Sequence, residues 1–254
     1  MPLHDVVARG FAIAAESYEK GRPDYPKAAL DLLIGALRIT PGAIVLDLGA
    51  GTGKLTRLLV STGACLIALE PVEGMRRKLT QAVPGVVAVD GVAEAIPLPD
   101  AAVDAVVAGQ AFQWFHGDLA LPEIHRVLRP GGRLGLVWNT RDVRVDWVAE
   151  VSALLDRHGR DASHYSSGAW RGTFEDTSLF RPLEEREFDH HQQIDIDALL
   201  ERAASIRYIA ALPMDQRYAV INEVRDLVLR HPALAGQRVY TFPYRTYVAI
   251  FERT

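Results

Sequence analysis

Short, nearly unbroken apolar runs recur through the first 140 residues: AIVLDLG at 43–49, CLIALEP at 65–71, VVAVDG at 86–91, VDAVVAG at 103–109 and RLGLVWN at 133–139. Helical spacing separates them, so the pattern predicts β-strands alternating with helices. A strand apolar on both faces belongs to a parallel sheet covered by helices on each side. Right-handed crossovers then bring the strands' C-terminal ends to one rim, where such sheets hold ligands.

Ahead of this block, residues 5–19 carry Val6, Val7, Phe11, Ala14 and Ala15 at helical spacing, and GRPDYP at 21–26 ends the pattern. Residues 1–27 are therefore expected to form a helix and an arm, with residues 28–139 as the core. After Asn139 the alternation stops. One amphipathic helix is expected in DWVAEVSALLDRHG, a strand in LEEREFDHHQQI, two helices over Ile196–Leu212 and Asp215–Arg230, and a last strand in RVYTFPYRTYVAIFER, with Pro243 kinking it or holding it at a sheet edge. Residues 140–254 thus read as a cap insertion plus the last strands of a single domain.

The chain has 254 residues, is about half hydrophobic and carries a net charge of −4 with no long basic run, which argues against nucleic acid as the main partner. No apolar stretch suffices for a membrane helix and no signal peptide precedes the first helix, so a cytoplasmic protein acting on a small molecule, as monomer or homodimer, is expected. The single cysteine, Cys65, sits in an apolar run and reads as a buried thiol. The adjacent His190 and His191 would point to opposite faces of a strand, so no metal site is expected.

The chemistry concentrates in VLDLGAGTGK at 45–54. Against the phosphate loop G-x-x-x-x-G-K-[ST], Leu48 stands where the first glycine belongs and Leu55 replaces the hydroxyl residue. Against the dinucleotide fingerprint G-x-G-x-x-G, Gly49 and Gly51 fit but Lys54 takes the third place, which leaves a nicotinamide-dependent oxidoreductase as the alternative. What remains is D-x-G-x-G-x-G. Its glycines let a ligand lie on bare backbone, and Asp47 puts negative charge where a pyrophosphate would be repelled. A cationic, phosphate-free nucleoside such as S-adenosylmethionine suits it, with Glu70 at the end of the second strand placed to accept both ribose hydroxyls. Lys54 is left as the solvent-facing start of a helix.

Together VLDLGAGTGKLT, ALEP, GVAEAIPLPDAAVDAVVAGQAFQWF and HRVLRPGGRLGLVWN resemble the class I S-adenosylmethionine-dependent methyltransferases of the type 11 group, and SYEKGRPDYP with AFQWF resembles the trans-aconitate methyltransferase-like branch. The resemblance implies a Rossmann-like α/β fold: a seven-stranded, mostly parallel sheet sandwiched by helices, its last strand antiparallel. It implies that Gly49, Ala50 and Gly51 pass beneath the methionine part, that Glu70 followed by Pro71 holds the ribose, and that Met75 packs on the adenine. The family commonly has Asp-Ala-Glu beside the adenine; here Val92-Ala93-Glu94 leaves Ala93 and Glu94 as its neighbours and removes any polar role from Val92. Gln110, followed by Ala111 and Phe112, is the expected neighbour of the sulfonium end, with Tyr18 and Arg22 closing on the methionine carboxylate.

For the acceptor, Phe112 and Trp114 are candidate pocket walls, Trp138 and Asn139 either line the site or finish the sheet, and His116 is the candidate general base. Methyl transfer destroys charge in the donor, so a carboxylate acceptor in a dry pocket needs no base, whereas a phenol, amine or carbon acceptor does. Arg141, Arg171, Arg207 and Arg245 are available to bind an acidic acceptor. A non-catalytic protein binding S-adenosylmethionine as a signal is a further alternative.

Overall fold

The computed structural model describes residues 21–159, 168–175 and 177–254. The expected N-terminal helix and Tyr18 lie outside them. In chain order the elements are α1 (Lys27–Ala36), β1 (Ile44–Leu48), α2 (Lys54–Leu59), β2 (Cys65–Leu69), α3 (Glu73–Ala82), β3 (Val87–Val89), β4 (Val103–Gly109), α4 (Gly117–Val127), β5 (Leu128–Arg141), α5 (Asp146–Asp156), α6 (Ala169–Glu175), β6 (Phe180–Asp195), α7 (Ile196–Ala204), α8 (Arg207–Ala210), α9 (Met214–Arg230) and β7 (Val239–Arg253). No described helix is long and apolar enough to cross a membrane.

The strands form one seven-stranded sheet ordered β3-β2-β1-β4-β5-β7-β6. β1 pairs in parallel with β2 and β4, β2 with β3, and β4 with β5. β7 runs the other way: Thr254 donates to the carbonyl of Leu179 at the start of β6, while Thr246 bonds Asn139 near the end of β5 and Arg253 bonds Leu128 at its start. Strand order reverses between β1 and β4. In an open α/β sheet that reversal opens a crevice beyond the strand ends, and here the β1–α2 turn and the residues after β4 border it.

Contacts divide the chain into two units. The first comprises, among the described residues, 24–139, 168–175, 177–188 and 246–254. Alternation along its strands sends Val45, Ala105, Val107, Val137 and Val248 to one face, where Leu33 of α1 and Leu55 and Leu59 of α2 cover them. Leu46, Leu48, Val106, Ala108, Leu136 and Trp138 go to the other, under Leu121 and Ile124 of α4. Both faces are dry, which is why the strands read as continuous apolar runs. The second unit comprises, among the described residues, 21–23, 140–159 and 189–245, and has its own core of Trp147, Val151, Leu155, Leu199, Val220, Val224, Phe242 and Tyr244. β5, β6 and β7 each contribute residues to both units.

Several expectations need correction. Pro243 does not hold β7 at an edge, because β7 lies between β5 and β6. Its carbonyl accepts from the backbone N–H of Asp142 at 3.1 Å. In an antiparallel pair a residue's nitrogen and carbonyl face the same neighbour, so the missing N–H points to where β5 has ended at Arg141 and no ladder bond is lost. Cys65 is exposed, since the short β3 reaches only Ile67–Leu69 of β2 and leaves the strand's first residue uncovered. The helix expected over Ile196–Leu212 is broken after Ala204 into α7 and α8.

Candidate functional site

The β1–α2 turn is built from three glycines in the left-handed region, Gly49 (φ 70°), Gly51 (φ 59°) and Gly53 (φ 85°), a conformation that side-chain-bearing residues adopt only under strain. The turn is pinned to the next strand: Gly49 and Ala50 both donate to the carbonyl of Leu69, at 2.9 and 3.1 Å. A Cβ on Gly49 would stand 2.8 Å from the Ala111 methyl and 3.3 Å from the Phe115 ring, so the segment after β4 packs on bare backbone. At Gly51 a Cβ would meet only the Met75 sulfur, at 3.8 Å. Gly51 is thus the roomier point of the turn.

Glu70, 5 % exposed, turns back onto this loop. Its carboxylate accepts from the backbone N–H of Gly51 and of Val72, each at 2.9 Å, and Arg76 donates to its carbonyl at 2.6 Å. Burial nevertheless pushes its pKa above the ordinary carboxylate value. Asp47, 2 % exposed, receives the Thr56 hydroxyl on Oδ2 at 2.5 Å, while its Oδ1 is buried without a hydrogen-bond partner. Burial raises its pKa to about 7. Two desolvated acids beside a glycine turn favour a cation without phosphate, and the open acceptor on Asp47 is the observation by which S-adenosylmethionine fits this cradle.

Across the crevice, Gln110 is held at φ +56°, a strain for a non-glycine residue at the end of β4. Three hydrogen bonds over-determine it: its N–H to the carbonyl of Val137 (2.9 Å), its Nε2 to the carbonyl of Asn139 (2.8 Å), and its own carbonyl receiving Nε2 of Gln113 (2.9 Å). Asn139 finishes the sheet, donating to the carbonyl of Asp24 at 3.0 Å and accepting the Thr246 hydroxyl at 2.6 Å.

The other predicted residues fall as follows. Met75 is buried beside Gly51, Ala93 is buried, and Pro71 is exposed. Glu94 accepts the backbone N–H of His116 at 2.8 Å, capping α4, and the His116 side chain is exposed. Phe112 is buried against Phe174 and Phe115, whereas Trp114 is half-buried. Trp138 is fully buried; its indole donates to Oε1 of Gln113 at 2.7 Å and its ring packs 4.9 Å from Trp170. Arg22 is half-buried in the second unit. Lys54 is not the solvent-facing residue expected: its side chain is 15 % exposed and its amine lies 3.5 Å from Asp24.

Of the four arginines, Arg141 pairs with Asp156 and Arg245 with Asp189, each at 2.8 Å. The side chain of Arg207 lies outside the described residues. Arg171 belongs to the first unit. Sequence inspection missed Thr56 and Gln113. The threonine does follow Gly53 at a fixed step on α2, whereas nothing local marks the glutamine.

The methyltransferase-domain family model matches residues 46–136. The chain is 41% identical over 236 residues to an uncharacterized methyltransferase of Mycobacterium tuberculosis, covering 93% of this chain and 92% of that one. Over 136 residues it is 43% identical to the malonyl-[acyl-carrier protein] O-methyltransferase of Methylococcus capsulatus, covering 50% of this chain and 49% of that protein. A solved structure of a putative type II methyltransferase from Anaeromyxobacter dehalogenans superposes with a TM-score of 0.64 at 25% identity, covering 91% of this chain and 97% of that one.

Proposed function

The chain belongs to the methyltransferase family, with S-adenosylmethionine as methyl donor, and on that premise we propose that it methylates a carboxylate of a small organic acid, as the trans-aconitate-like segments SYEKGRPDYP and AFQWF suggest. The observation that carries this is the likeness to a relative named as an O-methyltransferase of a malonyl group, an acid. Bound here, the donor supplies a sulfonium methyl already activated for displacement.

The residues of this chain then have three tasks. Gly49–Gly51 offer bare backbone, and Glu70, locked by Gly51 and Val72, presents an oriented acceptor for a diol. Burial raises the pKa of both Asp47 and Glu70, and a cation bound beside them would draw both towards the ionised form, at a site whose low polarity strengthens the attraction. Gln110, fixed by its three hydrogen bonds, sets the position of the segment from Ala111 to Phe115 that packs on Gly49.

A carboxylate acceptor is ionised at neutral pH and gives up no proton as its oxygen is methylated. This agrees with the exposure of the His116 side chain and the use of its backbone at the cap of α4. The residues of the first unit named for cofactor contact, Pro71, Met75, Ala93, Glu94 and Phe112 among them, stand as assignments within this proposal.

The test supplies methyl-labelled S-adenosylmethionine with size-matched carboxylates, trans-aconitate included, phenols and amines. Labelled methyl esters, released as methanol by mild base, are expected from carboxylates alone. Labelling of phenols or amines with no ester formed would overturn the proposal.

A further inference from the structure

Where the first unit's strands end on the rim shared with Gln110, a second cluster is organised around Arg171. Its guanidinium lies over the rings of Trp170 and Tyr247, 4.6 and 5.1 Å from their centroids. It donates to the Tyr247 hydroxyl at 2.6 Å and to Oε2 of Glu185 at 3.1 Å, and Tyr247 donates to that same oxygen. One carboxylate oxygen is thus held by a guanidinium and a phenol above an indole face, which is how a protein recognises a carboxylate.

The cluster connects to the proposed site through packed groups. Gln113 bonds the carbonyl of Gln110 and receives the indole N–H of Trp138, whose ring packs at a tilt against Trp170. Thr246, the residue before Tyr247, bonds Asn139 at the end of the core part of β5. All of these residues lie in the first unit.

Of the two donors Tyr247 is buried, whereas Arg171 is as exposed as Glu185. Tyr247 is 6 % exposed, and burial with the adjacent Glu185 charge holds its hydroxyl pKa well above the ordinary phenol value, so it remains a donor. Arg171 also lies over two aromatic faces, contacts that do not involve Glu185. The side chains of Arg171 and of Glu185, on the edge strand β6, are each 42 % exposed, so their ion pair is open to solvent. An exposed ion pair adds little net stability, so a ligand carboxylate can displace it.

We propose that Arg171 and Tyr247 form the subsite for a second, non-reacting carboxylate of the methyl acceptor, a place Glu185 fills in its absence, so that the acceptors are small dicarboxylates. The assignment rests on carboxylate methylation as proposed above. A carboxylate whose lone pairs are committed to two strong donors is a poor nucleophile; the methyl must go to the acceptor's other, uncommitted carboxylate. No new bond is made at the subsite. At the other end a C–O–CH3 ester forms as the carbon–sulfur bond breaks, the sulfur keeps the bonding pair, and no proton moves.

The experiment compares succinate and glutarate with butyrate and valerate as acceptors, using wild type, Arg171→Lys and Glu185→Gln, with thermal melting to confirm folding. Dicarboxylates are expected to be preferred by wild type. Arg171→Lys should raise KM for glutarate by about tenfold or more, the loss of a charge-assisted contact, with KM for S-adenosylmethionine unchanged. Glu185→Gln, which retains both donors, should lower KM for glutarate and leave valerate unaffected. Equal handling of mono- and dicarboxylates by all three proteins would overturn the subsite while leaving carboxylate methylation standing. Methylation of none of the four acids, with phenols or amines labelled instead, would overturn both.

Discussion

Thr56 donates its hydroxyl to Oδ2 of Asp47 at 2.5 Å, while the other oxygen of that carboxylate is buried without a hydrogen-bond partner. A side chain satisfied on one oxygen only is expensive in an apolar wall, and the shift of Asp47 to about 7 reports that cost.

Because the folded pKa of Asp47 is raised above its ordinary 3.8, the folded state favours the protonated acid. Its contribution to stability is therefore fully present below about pH 4 and is lost as pH rises through 7. Asp47→Asn keeps an acceptor for Thr56 and removes the titration. Urea unfolding at several pH values should show the wild type losing stability relative to Asp47→Asn between pH 4 and 7, by a few kcal/mol, with a constant difference above pH 8. The variant should be the more stable protein at pH 8 and the weaker binder of S-adenosylmethionine. Parallel pH curves for the two proteins would refute a buried, titrating Asp47.

Gly49 and Gly51 of the turn predict different failures. Gly49→Ala combines a left-handed backbone with a 2.8 Å approach to Ala111 and should destabilise the fold by about 2–4 kcal/mol. Gly51→Ala meets nothing closer than 3.8 Å and should cost about 1–2 kcal/mol, from backbone strain alone. Its larger effect should fall on affinity for S-adenosylhomocysteine, weakened about tenfold or more because the methyl fills space meant for ligand. Melting curves and titrations on both variants separate the two; a Gly51→Ala protein binding as tightly as wild type would remove that glycine from the cradle.

Much of this arrangement was legible in residue order. A buried parallel strand needs the continuous apolar run Val45–Leu48, and a turn with three left-handed residues needs glycines, so both showed locally. Glu70 was visible because a strand end has a predictable place on the rim. What stayed hidden depends on neighbours distant in sequence. Cys65 is exposed only because β3 is short, Pro243 is tolerated mid-sheet only because β5 ends at Arg141, and Lys54 meets Asp24 from a distant part of the sequence. Arg171, Glu185 and Tyr247 meet across three elements, and no spacing rule links them. The division into two units was likewise hidden, since three long strands contribute to both.

We propose that the glycine turn and Glu70 together hold the methyl donor. Isothermal titration of S-adenosylhomocysteine into wild type and Glu70→Ala, each confirmed folded by thermal melting, tests it most directly. Loss of the buried acceptor should weaken binding by about 1–3 kcal/mol. A Glu70→Ala protein that binds the ligand with wild-type affinity would contradict the account.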